Sequence, residues 1–79
     1  MIYINAKGRK LVGTLAVGTE SAEVRNPYTG KSCKLEPVAL ALYDYIKGCE
    51  MLEHYGENFS LALMIFRLNW EKEYYILLD

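Results

Sequence analysis

Short apolar runs separated by turn residues fill this chain as far as Leu35, and a helical period follows. Ile2-Tyr3-Ile4 is a short β-prone run, followed by Ala6-Lys7-Gly8-Arg9, whose small and polar residues suit a turn. Lys10 to Val17 reads as a second strand, with Leu11, Leu15 and Val17 sharing a face with Gly13, and Val12, Thr14 and Ala16 on the other. That alternation is weak, and Gly13 would mark a bulge. Gly18-Thr19-Glu20-Ser21 supplies a turn and Ala22 to Arg25 a strand. From Val24 to Cys33 the chain carries the signals of a hairpin. Asn26 can accept a hydrogen bond from backbone just ahead, Pro27 presets φ at the first corner, and Gly30 tolerates the positive φ that closes the loop.

After Glu36-Pro37 the period lengthens. Proline suits the first helical position, and the acid before it favours the positive end of the dipole, although glutamate is a poor N-cap. At 100° per residue from Val38, one broad side collects Ala41, Leu42, Tyr45, Ile46, Cys49, Leu52 and Tyr55, which predicts a core-facing stripe and a stop at Gly56. Asn58 or Ser60 can cap a second helix reaching about Leu68. It is apolar nearly all round, because Phe59, Leu61, Leu63, Met64, Ile65, Phe66 and Leu68 leave only Ser60 and Arg67 as a polar wedge. Such a helix needs a central position or another subunit. Asn69 would end it and cap a short third helix striped by Trp70, Tyr74, Leu77 and Leu78.

The expectation is therefore an α+β fold, a small antiparallel β-sheet of three to four strands followed by three helices. It forms one domain over residues 1–79, hairpin-rich over 1–35 and helical over 36–79. With 52% hydrophobic, 13% aromatic and 24% charged residues, the composition is that of a folding chain rather than a disordered one. At 79 residues the core is modest, so a partner or self-association can add to it. Charge separates along the sequence. Six cations against Glu20 and Glu23 give +4 up to Leu35, and Lys47, Arg67 and Lys72 against eight carboxylates give −5 from Glu36 onward. The resulting dipolar surface would orient a charged partner.

Candidate chemistry is sparse. Gly30-Lys31-Ser32 ends like a phosphate-binding loop, but Arg25 stands where the first glycine belongs, and a strand rather than a helix follows. With His54 the single histidine, a two-histidine metal site is excluded, and Glu50, Glu53 and Glu57 around it are common spacings on a solvated helix. Cys33 and Cys49 form no CxxC pair and read as a strand and a core residue, without a triad around them. Neither catalytic residues nor a cofactor are expected. The start lacks the pattern of a signal peptide, and uninterrupted apolar runs are no longer than Leu61 to Phe66, so a cytoplasmic chain with no membrane contact is expected.

Two surfaces could bind. Leu40, Tyr43, Lys47, Met51 and His54 fall together on the far side of the helix opened by Pro37, and exposed Tyr and Met suit a protein contact. Alternatively Leu40 staples against Leu35 and the sheet covers Tyr43 and Met51. The second surface is basic. Lys7, Arg9, Lys10, Arg25, Lys31 and Lys34, with Tyr3 and Tyr28, could follow a phosphate backbone and stack a base, or could be a solvated sheet edge protected by lysine. A sequence pI near 5.8 weighs against nucleic acid.

Asn26-Pro27-Tyr28-Thr29-Gly30, Leu35-Glu36-Pro37, Leu40 to Gly48 and Tyr74 to Asp79 together resemble small uncharacterised phage-encoded proteins, from about Val24 onward. The resemblance implies a setting: a viral protein in the host cytoplasm that binds and modulates or inhibits a host protein, including components of host defence. It carries no catalytic residues. A homo-oligomeric structural protein and a nucleic-acid-binding module are the competing expectations.

Overall fold

A computed structural model of the chain describes residues 6–78, over which the fold is α+β. The order is α1 (Ala6–Thr14), β1 (Ala22–Arg25), β2 (Ser32–Leu35), α2 (Pro37–Leu52), α3 (Glu57–Asn69) and α4 (Glu71–Leu77). Among the described residues the sheet has two strands rather than three or four, and there are four helices rather than three. The strand expected at Ile2 to Ile4 lies outside the described residues.

The largest departure from the sequence reading is α1, which occupies both the expected turn at Ala6 to Arg9 and most of the expected strand from Lys10 to Val17. Its physical cause is visible in the spacing. Gly8, Leu11 and Val12 are buried and Leu15 half-buried, which is a helical i, i+3, i+4, i+7 set facing α3. Ala6, Lys7, Arg9, Lys10 and Leu11 are all strong helix formers. Gly13 lies in the helix with open space around its Cα, and no bulge is formed there. The Thr14 hydroxyl donates to the Leu11 carbonyl at 2.7 Å where the helix ends.

In the hairpin, Ala22 stands opposite Leu35, Glu23 opposite Lys34, Val24 opposite Cys33 and Arg25 opposite Ser32. Strand periodicity turns Ala22, Val24, Cys33 and Leu35 inward and leaves Glu23, Arg25, Ser32 and Lys34 exposed. Asn26 is buried and anchors the loop. Its Oδ1 accepts from the Tyr28 amide at 2.9 Å and the Thr29 amide at 3.4 Å. Its Nδ2 donates to the Ile76 carbonyl at 3.0 Å, tying the loop to α4. The Gly30 amide closes the turn onto the Asn26 carbonyl at 2.9 Å, with Gly30 at φ 77°.

The core gathers around α3, which packs against α1, α2 and α4. Phe66 and Ile65 of α3, Leu42 and Ile46 of α2 and Leu35 of β2 are fully buried, each contributing about 1.5–3 kcal/mol of apolar burial. A central position thus answers most of what the apolar α3 requires, though Met64 and Leu68 remain outside. Asn69 is the last residue of α3 and donates from Nδ2 to the Ile65 carbonyl at 2.9 Å. The N-cap of α4 is Trp70, not Asn69, and its side chain makes no capping bond.

Candidate functional site

Where α2 gives way to α3, the chain leaves three large apolar or aromatic side chains in solvent. Sequence reading carries this helix to Tyr55, but it stops at Leu52. The Glu53 amide bonds to the Glu50 carbonyl at 3.3 Å and the His54 amide to the Cys49 carbonyl at 2.9 Å, a Schellman arrangement. The residue held in the left-handed region is Glu53, at φ 56° and ψ 37°. Gly56 instead takes an extended conformation as N-cap of α3, with the Ser60 amide bonding to its carbonyl at 3.2 Å.

Ending α2 three residues early strips cover from its end. Met51 is 82% exposed, Leu52 65% and Tyr55 59%. Beside them an open groove of about 550 Å³ runs between the two helices, lined by Tyr45, Gly48, Cys49, Leu52, His54, Gly56, Glu57, Asn58 and Phe59. The Tyr55 and Phe59 rings meet edge-on at 5.1 Å and form one wall. Burial pushes the Tyr45 phenol above its ordinary pKa; its hydrogen bond with Cys49 adds to this, and one with Asn58 opposes it. Tyr45 therefore stays a neutral hydrogen-bonding group at the groove floor.

Acids rim the corner. Glu50 pairs with Lys47 at 3.2 Å, and Glu57 pairs with Lys7 of α1. The Lys7 hydrogen bond, then its charge, lowers the Glu57 pKa, and the same contacts raise that of Lys7. Both members are well exposed, so the pair exchanges readily with solvent or a competing charge. Glu53 has no cation within ion-pair distance among the described residues.

The expected protein-binding ridge divides along its length. Leu40 and Tyr43 are half-buried and pack against the core. Lys47 lies over the Tyr43 ring, 5.7 Å from its centroid. Met51 and His54 are exposed and belong to the corner. The helical period from Val38 assigns Leu52 and Tyr55 to the core-facing stripe, yet both are solvent-facing. The cluster of Glu50, Glu53 and Glu57 around apolar residues was the available signal that this helix end stands in water.

The basic residues occupy two places. Lys7, Arg9 and Lys10 are exposed on α1; Arg25 and Lys34 lie on the outer hairpin face, and Lys31 in its loop with Tyr28, 94% exposed. Tyr3 lies outside the described residues. A depression of about 340 Å³ at Lys7, Lys10, Leu11, Thr14, Glu57 and Asn58 contains acid as well as base.

Cys33 and Cys49 are both free thiols, half-buried and buried. Burial, then the charges of Glu73 and Glu23, pushes the Cys33 thiol up, which keeps it protonated and a poor nucleophile. Among the described residues no three of His, Cys, Asp and Glu come together as a metal-binding group, and no helix is long and apolar enough to cross a membrane. No protein-family model matches the chain, and neither a curated protein nor a solved structure matches it.

Proposed function

We propose that this chain is a non-enzymatic protein-binding module whose contact surface is the α2–α3 corner. The observation carrying this reading is the exposure of Met51, Leu52 and Tyr55 around a groove walled by Phe59 and floored by Tyr45. Met and Tyr are favoured in protein contacts because they bury much area while adapting to a partner's shape. The acids around the groove favour a segment that presents an apolar side chain flanked by lysine or arginine. Resemblance to small phage-encoded proteins adds that the partner is a host protein, modulated or inhibited by occupation of its surface.

The test compares affinity capture from host cells by the unaltered chain and by the double variant Met51→Glu, Leu52→Glu. Both positions are open to solvent, so thermal unfolding should be nearly unchanged while the captured protein is lost. Retention by the variant would move the contact elsewhere. Loss on charge reversal at Arg9 and Lys10 instead, with binding that falls steeply in salt, would favour the nucleic-acid reading.

A further inference from the structure

A second surface lies between α3 and α4, and its chemistry differs from that of the corner. The groove there, about 580 Å³, is lined by Leu63, Met64, Arg67, Leu68, Glu71 and Tyr74. Met64 is 40% exposed and Leu68 63%, one helical turn apart on α3. We propose that this groove seats a second copy of the chain, forming a dimer with two-fold symmetry.

A two-fold contact presses one patch against itself, so the patch must complement itself in charge as well as in shape. This one carries one exposed cation, Arg67, and one exposed anion, Glu71. Among the described residues neither has an opposite charge within ion-pair distance. The Arg67 guanidinium rests over the Tyr74 ring, 5.8 Å from its centroid, which holds it at the groove edge. An axis passing between α3 and α4 sets Arg67 of each copy against Glu71 of the other, twice, while Met64 and Leu68 fill the facing groove. At the α2–α3 corner, by contrast, Glu50 and Glu57 already pair with Lys47 and Lys7 within the chain, which leaves Glu53 without a cation of the patch to answer it. A chain of 79 residues also gains much from hiding this surface, since its own core is small.

Light scattering on the full chain at about 100 μM tests the proposal, because a Kd of ~10 μM would already leave most chains paired there. The expected mass is twice 9.1 kDa. Arg67→Glu alone and Glu71→Arg alone each place like charges face to face in both contacts, and each should weaken association about tenfold or more. Mixing the two variants in equal amounts should restore the dimer, since one copy then offers acid at both positions and the other base at both. Thermal unfolding of each variant confirms that it is folded. A mass of 9.1 kDa for the unaltered chain, undiminished pairing by either variant alone, or no recovery on mixing overturns the proposal; a monomer leaves the groove to a different occupant.

Discussion

Among the described residues two turns hold a residue at positive φ, and they do so in opposite ways. The β1–β2 loop places glycine there, Gly30 at φ 77°, and the buried Asn26 side chain satisfies the backbone around it. The α2–α3 corner places glutamate there, Glu53 at φ 56°, while Gly56 three residues later takes an ordinary extended conformation. For a residue with a Cβ the left-handed region costs roughly 1–2 kcal/mol. The hairpin loop is thus held from within by Asn26, the one loop residue whose side chain is buried. At the corner a charged residue occupies a position suited to glycine, next to apolar groups left in water. The hairpin loop exposes a single large apolar or aromatic side chain, Tyr28, whereas the corner gathers Met51, Leu52 and Tyr55 in solvent beside an acid held at a backbone cost, which is the cluster the proposed contact uses.

The strongest test of that contrast is Asn26→Ala, which removes the loop anchor and the bond to the Ile76 carbonyl together. A loss of about 2 kcal/mol in denaturant unfolding is expected, with capture through the corner intact. A change below about 0.5 kcal/mol would show that solvent satisfies these groups as well as Asn26 does. Gly30→Ala comes next. The added Cβ would lie 3.4 Å from the Arg25 guanidinium, which can move aside, so the positive φ sets the cost at about 1 kcal/mol.

Glu53→Gly should act in the other direction. Relief of the left-handed strain is partly offset by the freer unfolded chain, and a net stabilisation of roughly 0.5 kcal/mol is expected, read as a raised Tm. If Glu53 serves the partner, the same variant should bind it more weakly, separating stability from function at one residue.

The smallest effect concerns the Lys7–Glu57 contact. Because the Glu57 pKa is lowered on folding, its contribution is present above the ordinary carboxylate range and fades as pH falls through the lowered value. Because the Lys7 pKa is raised, its contribution is complete below the ordinary lysine range and fades as pH rises through the raised value. Lys7→Met should therefore flatten a weak stability plateau between those limits in low salt and have almost no effect in high salt, as shown by unfolding across pH.

The corner was only partly legible. Met51 is where the helical wheel puts it, on a solvent-facing side; His54 is exposed too, but it lies beyond the end of α2, where the wheel no longer applies. Leu40 and Tyr43 share that side in projection, yet α2 lies near enough to other elements along its first turns to half-bury both. Leu52 and Tyr55 were misplaced for a different reason. A wheel assumes that the helix continues and that its apolar side is covered throughout, and the Schellman stop at Glu53 ends the first condition while their exposure shows the second has failed.

What the sequence determined by itself is the structure its special residues impose within a few positions. Asn26, Pro27 and Gly30 specify the hairpin loop, Pro37 opens α2, and the period of apolar residues from Val38 onward makes a helix. These are local restrictions on φ, ψ and hydrogen bonding, and no distant contact is needed to read them. Tertiary structure decided α1 between the strand and helix patterns that its residues both fit. A nine-residue segment with a mixed pattern is too short to be helical on propensity, and it becomes so by burying Gly8, Leu11 and Val12 against α3, far along the chain. The same long-range packing decided which apolar side chains of α2 and α3 were covered and which were left at the corner and in the α3–α4 groove, because burial depends on what arrives from elsewhere in the chain.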